Sequence, residues 1–291
     1  MKISIIIVTY NSQSLISDCL QSILDYADIS LDEIEIIVVD NSSGENAEEL
    51  KSMVDNHSVA KKIKTKYIHN VANLGYGQGN NIGIFNSTGD IVCIMNPDVR
   101  FTEPLFKDVL LKFEDSNLAL LGYKQTGGFD YSFYMKPELK SAFSGWKMKL
   151  LNKRDSFNPK KHYLSGAFFF IDKNKFSQIG MFDEKIFMYF EEPDIAKRID
   201  EKKYTILYEK SKKYIHLVGD RTAWSERAFT SEMNSLKYYL TKYNFDTANI
   251  INKYLEEYKF KVLAAKFLND KNRLIKFQNE IKQIEKVFDI K

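Results

Sequence analysis

Cysteine is scarce in this chain: two residues, Cys19 and Cys93, among 291. One falls in a helical pattern and the other in an apolar strand pattern. They read as core thiols of a reducing compartment, which excludes a disulfide framework. Charge of one sign is also lacking. The net charge of +3 is too mild to argue for a nucleic-acid partner. No apolar run approaches the ~18–20 residues that span a bilayer. Met1-Lys2 leads directly into a strand-like segment, with no basic leader or small-residue cleavage site, so no signal peptide is expected. There is no internal repeat and no low-complexity linker. What remains is a chain with 44% hydrophobic residues, enough for one large α/β domain or a domain with an appendage. Its expected location is the cytoplasm.

The first third alternates strand and helix patterns. Ile3 to Val8 is a β-prone apolar run. After it, Ser12 or Ser14 can cap a helix carrying Leu15, Ile16, Cys19, Leu20 and Ile23 at helical spacing. Strands follow at 34–39, at Lys66-Tyr67-Ile68 and at 91–95, and helices at Glu45 to Val54 and around Gly79 to Asn86. Pro104 suits a first helical turn, and Leu118 to Gly122 is strand-like. Such units imply a mostly parallel sheet with helices on both faces. From Tyr123 to His162 periodicity disappears, and hairpin and loop are expected. Tyr163 to Ile171 reads as one strong strand. A short helix begins near Glu192, two short strands cover Tyr204 to Tyr208 and Lys213 to His216, and the chain beyond about Ser225 is helical.

Three of the strands end in polar residues: Thr9-Tyr10-Asn11, Asp40, and Asn96-Pro97-Asp98. In an open α/β sheet the carboxyl edge binds ligands. Three polar strand ends on one edge suggest a nucleotide site, with Asp98 placed for a metal. Taken singly, each has a plain alternative; Asp40-Asn-Ser-Ser, for instance, is also a turn.

The ordered set of motifs resembles family 2 glycosyltransferases, and within them the rhamnosyltransferase-type branch. The motifs are Ser4 to Asn11, Val38 to Ser43, Asn73 to Gly83, Asn96-Pro97-Asp98, Ser165-Gly166-Ala167, Phe190 to Asp194, and His216 to Gly219. The likeness covers roughly residues 1–222. It implies a GT-A fold, a nucleotide-sugar donor, Mn²⁺ or Mg²⁺, and inversion at the anomeric carbon.

The resemblance assigns roles residue by residue. Thr9, Tyr10, Asn11, Asp40, Asn73, Gly75, Asn80 and Asn96 fall to the nucleotide-sugar. Asp40 would accept from the N3–H of uracil or thymine, a hydrogen that cytosine lacks. Glycines around 75–79 let backbone approach a ligand, and amides at a helix start favour phosphate; Asn73 and Asn80 would bind the nucleoside or hold their own loop. Asp98 and His216 would hold the metal. Asn96 replaces the more usual first Asp, so diphosphate oxygens would complete the coordination. Glu192 stands where the family places the base that takes the acceptor's proton, one methylene longer than the usual Asp, beside Glu191. The same acidic run also suits a helix N-terminus with Pro193 in its first turn, and Arg198 can pair with Asp194. Ser165, Gly166, Ala167 and Asp194 would face the acceptor. Arg221 would neutralise the leaving diphosphate. Trp146, Trp224 and the tyrosines of 123–163 are candidates to stack on sugars or to fill core.

The reading is therefore a metal-dependent inverting transferase. It would use a dTDP- or UDP-sugar, rhamnose among the candidates, to modify a glycan or lipid-linked glycan in surface polysaccharide synthesis. A donor half spans about 1–122, an acceptor half about 123–222, and a helical extension 223–291. The alternatives are a nucleotidylyltransferase-like enzyme, disfavoured by Thr9-Tyr10-Asn11-Ser12 in place of a basic Gly-rich loop, and a non-catalytic carbohydrate-binding paralogue. In the extension, lysines alternate with Phe260, Leu263, Phe267, Leu268, Ile275 and Ile284. Either this helix lies on an anionic membrane at the inner face of the cell, or it packs on the core or on a second subunit of a homodimer. Glu256, Glu257, Asp270, Glu280 and Glu285 dilute the positive face and favour packing.

Overall fold

The computed structural model describes residues 1–128, 130–217 and 225–290. Strands are β1 (Ile3–Thr9), β2 (Ile34–Asp40), β3 (Lys64–His69), β4 (Ile91–Met95), β5 (Val99–Phe101), β6 (Leu118–Thr126), β7 (Phe133–Met135), β8 (His162–Leu164), β9 (Phe168–Asp172) and β10 (Thr205–His216). Helices are α1 (Gln13–Asp25), α2 (Glu45–Asn56), α3 (Tyr76–Phe85), α4 (Phe106–Lys112), α5 (Ser144–Lys153), α6 (Lys173–Gln178), α7 (Glu191–Glu201), α8 (Glu226–Lys242), α9 (Thr247–Phe267) and α10 (Lys271–Val287).

Eight strands form one sheet in the order β3-β2-β1-β4-β9-β6-β10-β5, and β7 pairs with β8 in a separate ribbon. The first four strands are parallel, as are β6 and β10; β9 runs antiparallel to both of its neighbours, and β5 antiparallel to β10. Continuous apolar runs such as Ile5-Ile6-Ile7 belong to strands covered on both faces. Ile3, Ile5 and Ile7 pack with Cys19, Leu20 and Leu50 of α1 and α2 on one side. Ile6 packs with Ile84, Phe176 and Ile195 of α3, α6 and α7 on the other.

Helix α3 lies unusually close to the sheet. A Cβ on Gly83 would sit 2.3 Å from Ile6 Cγ2, and one on Gly79 would sit 2.9 Å from Val8 Cγ1. These glycines are spent on helix–strand contact.

The middle of the chain departs from expectation. The strong strand expected from Tyr163 to Ile171 is two strands in different sheets. Ser165-Gly166-Ala167 breaks it, sending β8 to β7 and β9 to β4 and β6. Inside the stretch expected to be loop lies α5. Its buried stripe is Ser144, Met148 and Asn152, so two of its three inward positions are polar and no hydrophobic period marks it. Asn152 earns its burial by bonding Ser132 N (2.8 Å) and Phe133 O (3.0 Å), which anchors β7. The two strands expected after Tyr204 are one strand, with a register shift between Glu209 and Lys213.

The C-terminal helices pack rather than hang free. Phe229, Met233, Leu236, Tyr239, Ile250, Ile251 and Ile284 form a core that also receives Phe190. Polar ties reinforce it, from Tyr239 Oη to Glu138 (3.0 Å) and from Ser235 Oγ to Met188 O (2.8 Å). Phe260, Leu263, Phe267, Leu268 and Ile275 stay exposed. Among the described residues no helix is long and apolar enough to cross a membrane.

Gly83→Ala should cost about 1–3 kcal/mol by overpacking. Urea denaturation would show this as a lower midpoint with unchanged slope; an unchanged midpoint would mean that the close approach of α3 to β1 is not required.

Candidate functional site

Register brings the first strand ends together. Thr9 stands opposite Asp40. Asp40 is fully buried, and its carboxylate is filled by side chains. Oδ1 accepts from Thr9 Oγ1 (2.9 Å) and Ser42 Oγ (2.7 Å), and Oδ2 from Tyr67 Oη (2.7 Å). Burial first, and then the Asp40 carboxylate, push the Tyr67 phenol above its ordinary value. Asn11 adopts a left-handed backbone (φ 50), with its N–H on Ser42 Oγ at 2.8 Å, while Tyr10 is exposed.

The glycine-rich segment mostly holds itself. Asn73 Oδ1 accepts from Gly75 N (3.2 Å), and Asn80 Nδ2 donates to Tyr76 O (3.0 Å). Asn80 Oδ1 is buried without a partner among the described residues. Gly75 has φ +109, and a Cβ there would lie 2.1 Å from the Phe187 carbonyl oxygen. Its bare Cα serves the approach of Phe187, and Tyr76 N–H bonds that same carbonyl (2.9 Å).

Asp98 and His216 do converge. The strand β4 stops at Met95, Val99 N–H closes a turn on Asn96 O (3.0 Å), and β5 then pairs antiparallel with β10, placing Val99 opposite His216. Asp98 O accepts from Leu217 N (2.9 Å). The result is 3.3 Å between His216 Nε2 and Asp98 Oδ2, with the Asp98 side chain buried and that of His216 19% exposed. Two donors held about 2.1–2.2 Å from one cation at right angles lie about 3 Å apart, so the pair fits a shared divalent ion as well as a direct contact. Among the described residues no cluster of three or more His, Cys, Asp or Glu forms a metal cage. The donor set therefore suits an ion that takes its other ligands from elsewhere. Asn96 lines the same cavity, its N–H on Ala167 O at 2.9 Å.

The acidic pair meets the Ser-Gly-Ala break. The chain enters α7 through two consecutive left-handed residues, Tyr189 and Phe190 (φ 70 each), a conformation that costs about 1–3 kcal/mol per residue. Burial of Phe190 among the C-terminal helices holds it there. Glu192 then reaches across to Gly166. A Cβ on Gly166 would sit 1.9 Å from Glu192 Oε1, so only glycine leaves room for the carboxylate. The Gly166 N–H donates to that carboxylate, and Tyr76 Oη donates to the Gly166 carbonyl (2.9 Å). Burial raises Glu192 to about 7, partly offset by backbone N–H donors. Glu191 is more deeply buried. Burial, and then the charge of Glu192, push it well above the carboxylate range, and its Oε1 lacks a partner among the described residues. Ser165 Oγ bonds Gln125 Oε1 (3.0 Å), which Tyr214 Oη also reaches (2.9 Å).

These groups share one cavity of about 600 Å³, lined by Tyr76, Asn96, Ser165, Gly166, Ala167, Glu191, Glu192 and His216. A larger groove of about 710 Å³, between Phe187 and α8, is lined by none of the expected site residues.

Asp194, expected on the acceptor side, is not among the residues that line the cavity. It is fully buried, gripped by Arg198 Nε (2.9 Å) and Nη2 (2.6 Å), Lys242 and Tyr243 Oη (2.7 Å), and it fastens α7 to α8. The Arg198 pairing expected one turn on is present. Trp146 neither fills core nor lines the cavity; it is 72% exposed. The expectations placed on Arg221, Trp224, Val218 and Gly219 lie outside the described residues.

Three of the tyrosines of 123–163 line the cavity. Tyr131, Tyr134 and Tyr163 form a ladder, each neighbouring pair stacked at 5.8 Å between ring centroids. The far wall comes from the extension itself: Glu232, Tyr254 and Glu257, with Lys140 sitting 3.9 Å over the Tyr254 ring. Tyr254 and Glu257 are three apart on α9 and so share a face. That spacing was visible, but the fold alone shows which face meets the cavity.

A family model described as "Glycosyl transferase family 2" matches residues 4–180. Among curated proteins, the chain is similar to the low-salt glycan biosynthesis hexosyltransferase Agl10 of Haloferax volcanii. Identity is 29% over 203 residues, covering 67% of this chain and 61% of the relative. It is also similar to the uncharacterized glycosyltransferase EpsJ of Bacillus subtilis, at 27% over 143 residues, covering 48% of this chain and 38% of that one. The chain thus spans less than two thirds of either relative. Among solved structures, a Pyrobaculum calidifontis mannosyltransferase in complex with GDP-Man and Mn²⁺ superposes with TM-score 0.59 at 13% identity, covering 99% of this chain and 74% of that one. Staphylococcus aureus TarS in complex with UDP-GlcNAc gives 0.57 at 18%, covering 100% and 84%. These likenesses establish the fold as that of GT-A glycosyltransferases, and with the family model covering more than half of its length, the chain belongs to glycosyl transferase family 2.

Proposed function

We propose that the cavity binds a nucleoside-diphosphate sugar and transfers the sugar, with inversion, to a hydroxyl of a glycan or lipid-linked glycan. The single observation that carries this reading is that Glu192, a carboxylate raised to about 7, lines one cavity with His216, whose imidazole stands 3.3 Å from the buried Asp98 carboxylate. A general base works best with a pKa near the operating pH.

The step balances simply. The Glu192 carboxylate takes the proton of the acceptor hydroxyl. The acceptor oxygen forms the bond to the anomeric carbon while the bond from that carbon to the diphosphate breaks, and the nucleoside diphosphate departs. Asp98 and His216 are the residues that would hold a divalent cation, Mn²⁺ suiting the imidazole better than Mg²⁺; bound there, it would offset the charge gathering on the diphosphate. Asn96 orients the donor beside them. The Thr9-Asp40-Ser42 edge receives the base. Since Asp40 is filled in the structure, a uracil or thymine N3–H would take the place of the Tyr67 or Ser42 hydroxyl, and a dTDP- or UDP-sugar is the donor we assign. Rhamnose belongs to this reading as the sugar suggested by the sequence motifs. The other named residues divide by neighbourhood, with Tyr10, Asn11, Asn73, Gly75 and Asn80 toward the nucleotide and Ser165, Gly166 and Ala167 toward the acceptor. Residues 1–222 form the catalytic unit, with residues 223–291 completing its acceptor wall.

A thermal-shift panel of UDP, dTDP, GDP and CDP sugars, with and without Mn²⁺, tests the donor. A ligand at ~100 times its dissociation constant adds about 2.7 kcal/mol of stability. We expect UDP- or dTDP-sugars to stabilise the protein more when Mn²⁺ is present, and Asp98→Ala to lose that increment. A variant that keeps the full Mn²⁺ gain removes Asp98 from the metal site.

For Glu192→Gln we expect donor binding to persist and transfer to fall by about 10²–10⁴, with a smaller loss for Glu191→Gln. A base must be ionised, so wild-type transfer should decline as the pH drops below about 7. Stability should move the other way. The folded chain keeps a proton that the unfolded chain has released, so stability falls as the pH rises from the ordinary 4.5 to about 7. The Gln variant should flatten that part of the melting-temperature profile. A greater loss in Glu191→Gln would make Glu191 the base.

A further inference from the structure

The C-terminal helices leave an apolar stripe uncovered. Phe260, Leu263 and Phe267 are 52%, 61% and 91% exposed. At spacings of three and four residues they share one face of α9. They do not stand alone. The Phe143 ring, just before α5, meets the Phe260 ring at 5.1 Å, and Trp146 projects from α5 at 72% exposure. Two elements more than a hundred residues apart in sequence thus build one continuous apolar surface. Contiguous exposed patches of this kind mark interaction sites.

Its charge identifies the occupant. Lys149 and Lys153 follow Trp146 at helical spacing on α5, and Lys259 and Lys266 flank Leu263 on α9. All four are exposed, and none forms an ion pair among the described residues. Glu256 is the exposed acid on the stripe. Asp270 is spent on the start of α10, accepting from Arg273 N (3.0 Å) and pairing with its side chain. A two-fold dimer through this face would set the patch against itself, lysines opposite lysines. An anionic lipid surface matches both parts: aromatic and aliphatic side chains enter the headgroup boundary, and lysines meet the phosphates.

The position gives the surface a use. Ser144 and Gly145, between Phe143 and Trp146, line the cavity that holds Glu192. We propose that this α5–α9 surface seats the protein on an anionic membrane with the mouth of the cavity at headgroup level, so that the acceptor hydroxyl comes from a membrane-anchored molecule. The membrane contact stands by itself, and its use for the acceptor rests on the transferase reading.

Co-sedimentation of the full chain with phosphatidylcholine vesicles, with and without phosphatidylglycerol, tests it. Trp224→Phe leaves Trp146 as the one tryptophan of the two and so as a reporter. We expect sedimentation with the anionic vesicles alone, reversal by high salt, and a blue shift of Trp146 emission. Changing Phe260, Leu263 and Phe267 together to Ser should weaken binding by about tenfold or more, with Trp146→Ser as an independent second variant. The proposal is overturned if the full chain ignores anionic vesicles, if it binds neutral ones equally, or if both variants sediment like the parent. It is also overturned if light scattering shows a dimer that the triple variant converts to a monomer. Donor-induced thermal shifts, measured on the same proteins, should be unchanged; a lost shift in the unaltered chain would count against the transferase reading and not against the membrane surface.

Discussion

The Gly166 peptide is held from both sides: its carbonyl by Tyr76 at the start of α3, its N–H by the Glu192 carboxylate at the start of α7. The second contact depends on a missing side chain, because a Cβ would fall 1.9 Å from Glu192 Oε1. One bare Cα therefore joins α3 to α7. The cost is a buried acid, and it is also the useful property. In water a glutamate would be ionised and a poor proton acceptor at neutral pH; enclosed against Gly166 it is raised to about 7.

The sheet supplies the second constraint. Parallel strands alone would put Asp98 at an edge with no imidazole nearby. Reversing β9, and running β5 back along β10, returns the chain to that edge and sets His216 3.3 Å from Asp98. The third constraint comes from beyond the family match. Phe190 is locked by α8 and α9, and Lys242 and Tyr243 grip Asp194. The direction in which α7 presents Glu192 is thus set by residues that are remote in sequence.

Legibility followed the range of the interaction. The strands at 34–39 and 91–95 were plain because isoleucine and valine runs are their own signal, and both end where expected or one residue later. The convergence of Asp98 with His216 followed from the resemblance, which gave both to one metal, whereas the reach of Glu192 to Gly166 is visible only in the fold. Helix α5 was hidden because polar Ser144 and Asn152 occupy its buried stripe. The break at Gly166 was hidden within an apolar run, since strand propensity does not report which sheet a strand joins. Glu232, Tyr254 and Glu257 were invisible as site residues because only the docking of the C-terminal core turns them toward the cavity. Asp194 was expected from the acidic motif on the acceptor side; its grip by Arg198, Lys242 and Tyr243 was legible only for Arg198, one turn on, because Lys242 and Tyr243 are remote in sequence.

The most direct measurement of the central claim is single-turnover transfer by Gly166→Ala, with donor affinity measured by calorimetry on the same protein. If the bare Cα seats the base, the added methyl displaces Glu192, and transfer falls by about the 10²–10⁴ expected for loss of a general base, while donor affinity and fold persist. Undiminished transfer by a folded Gly166→Ala protein would contradict it.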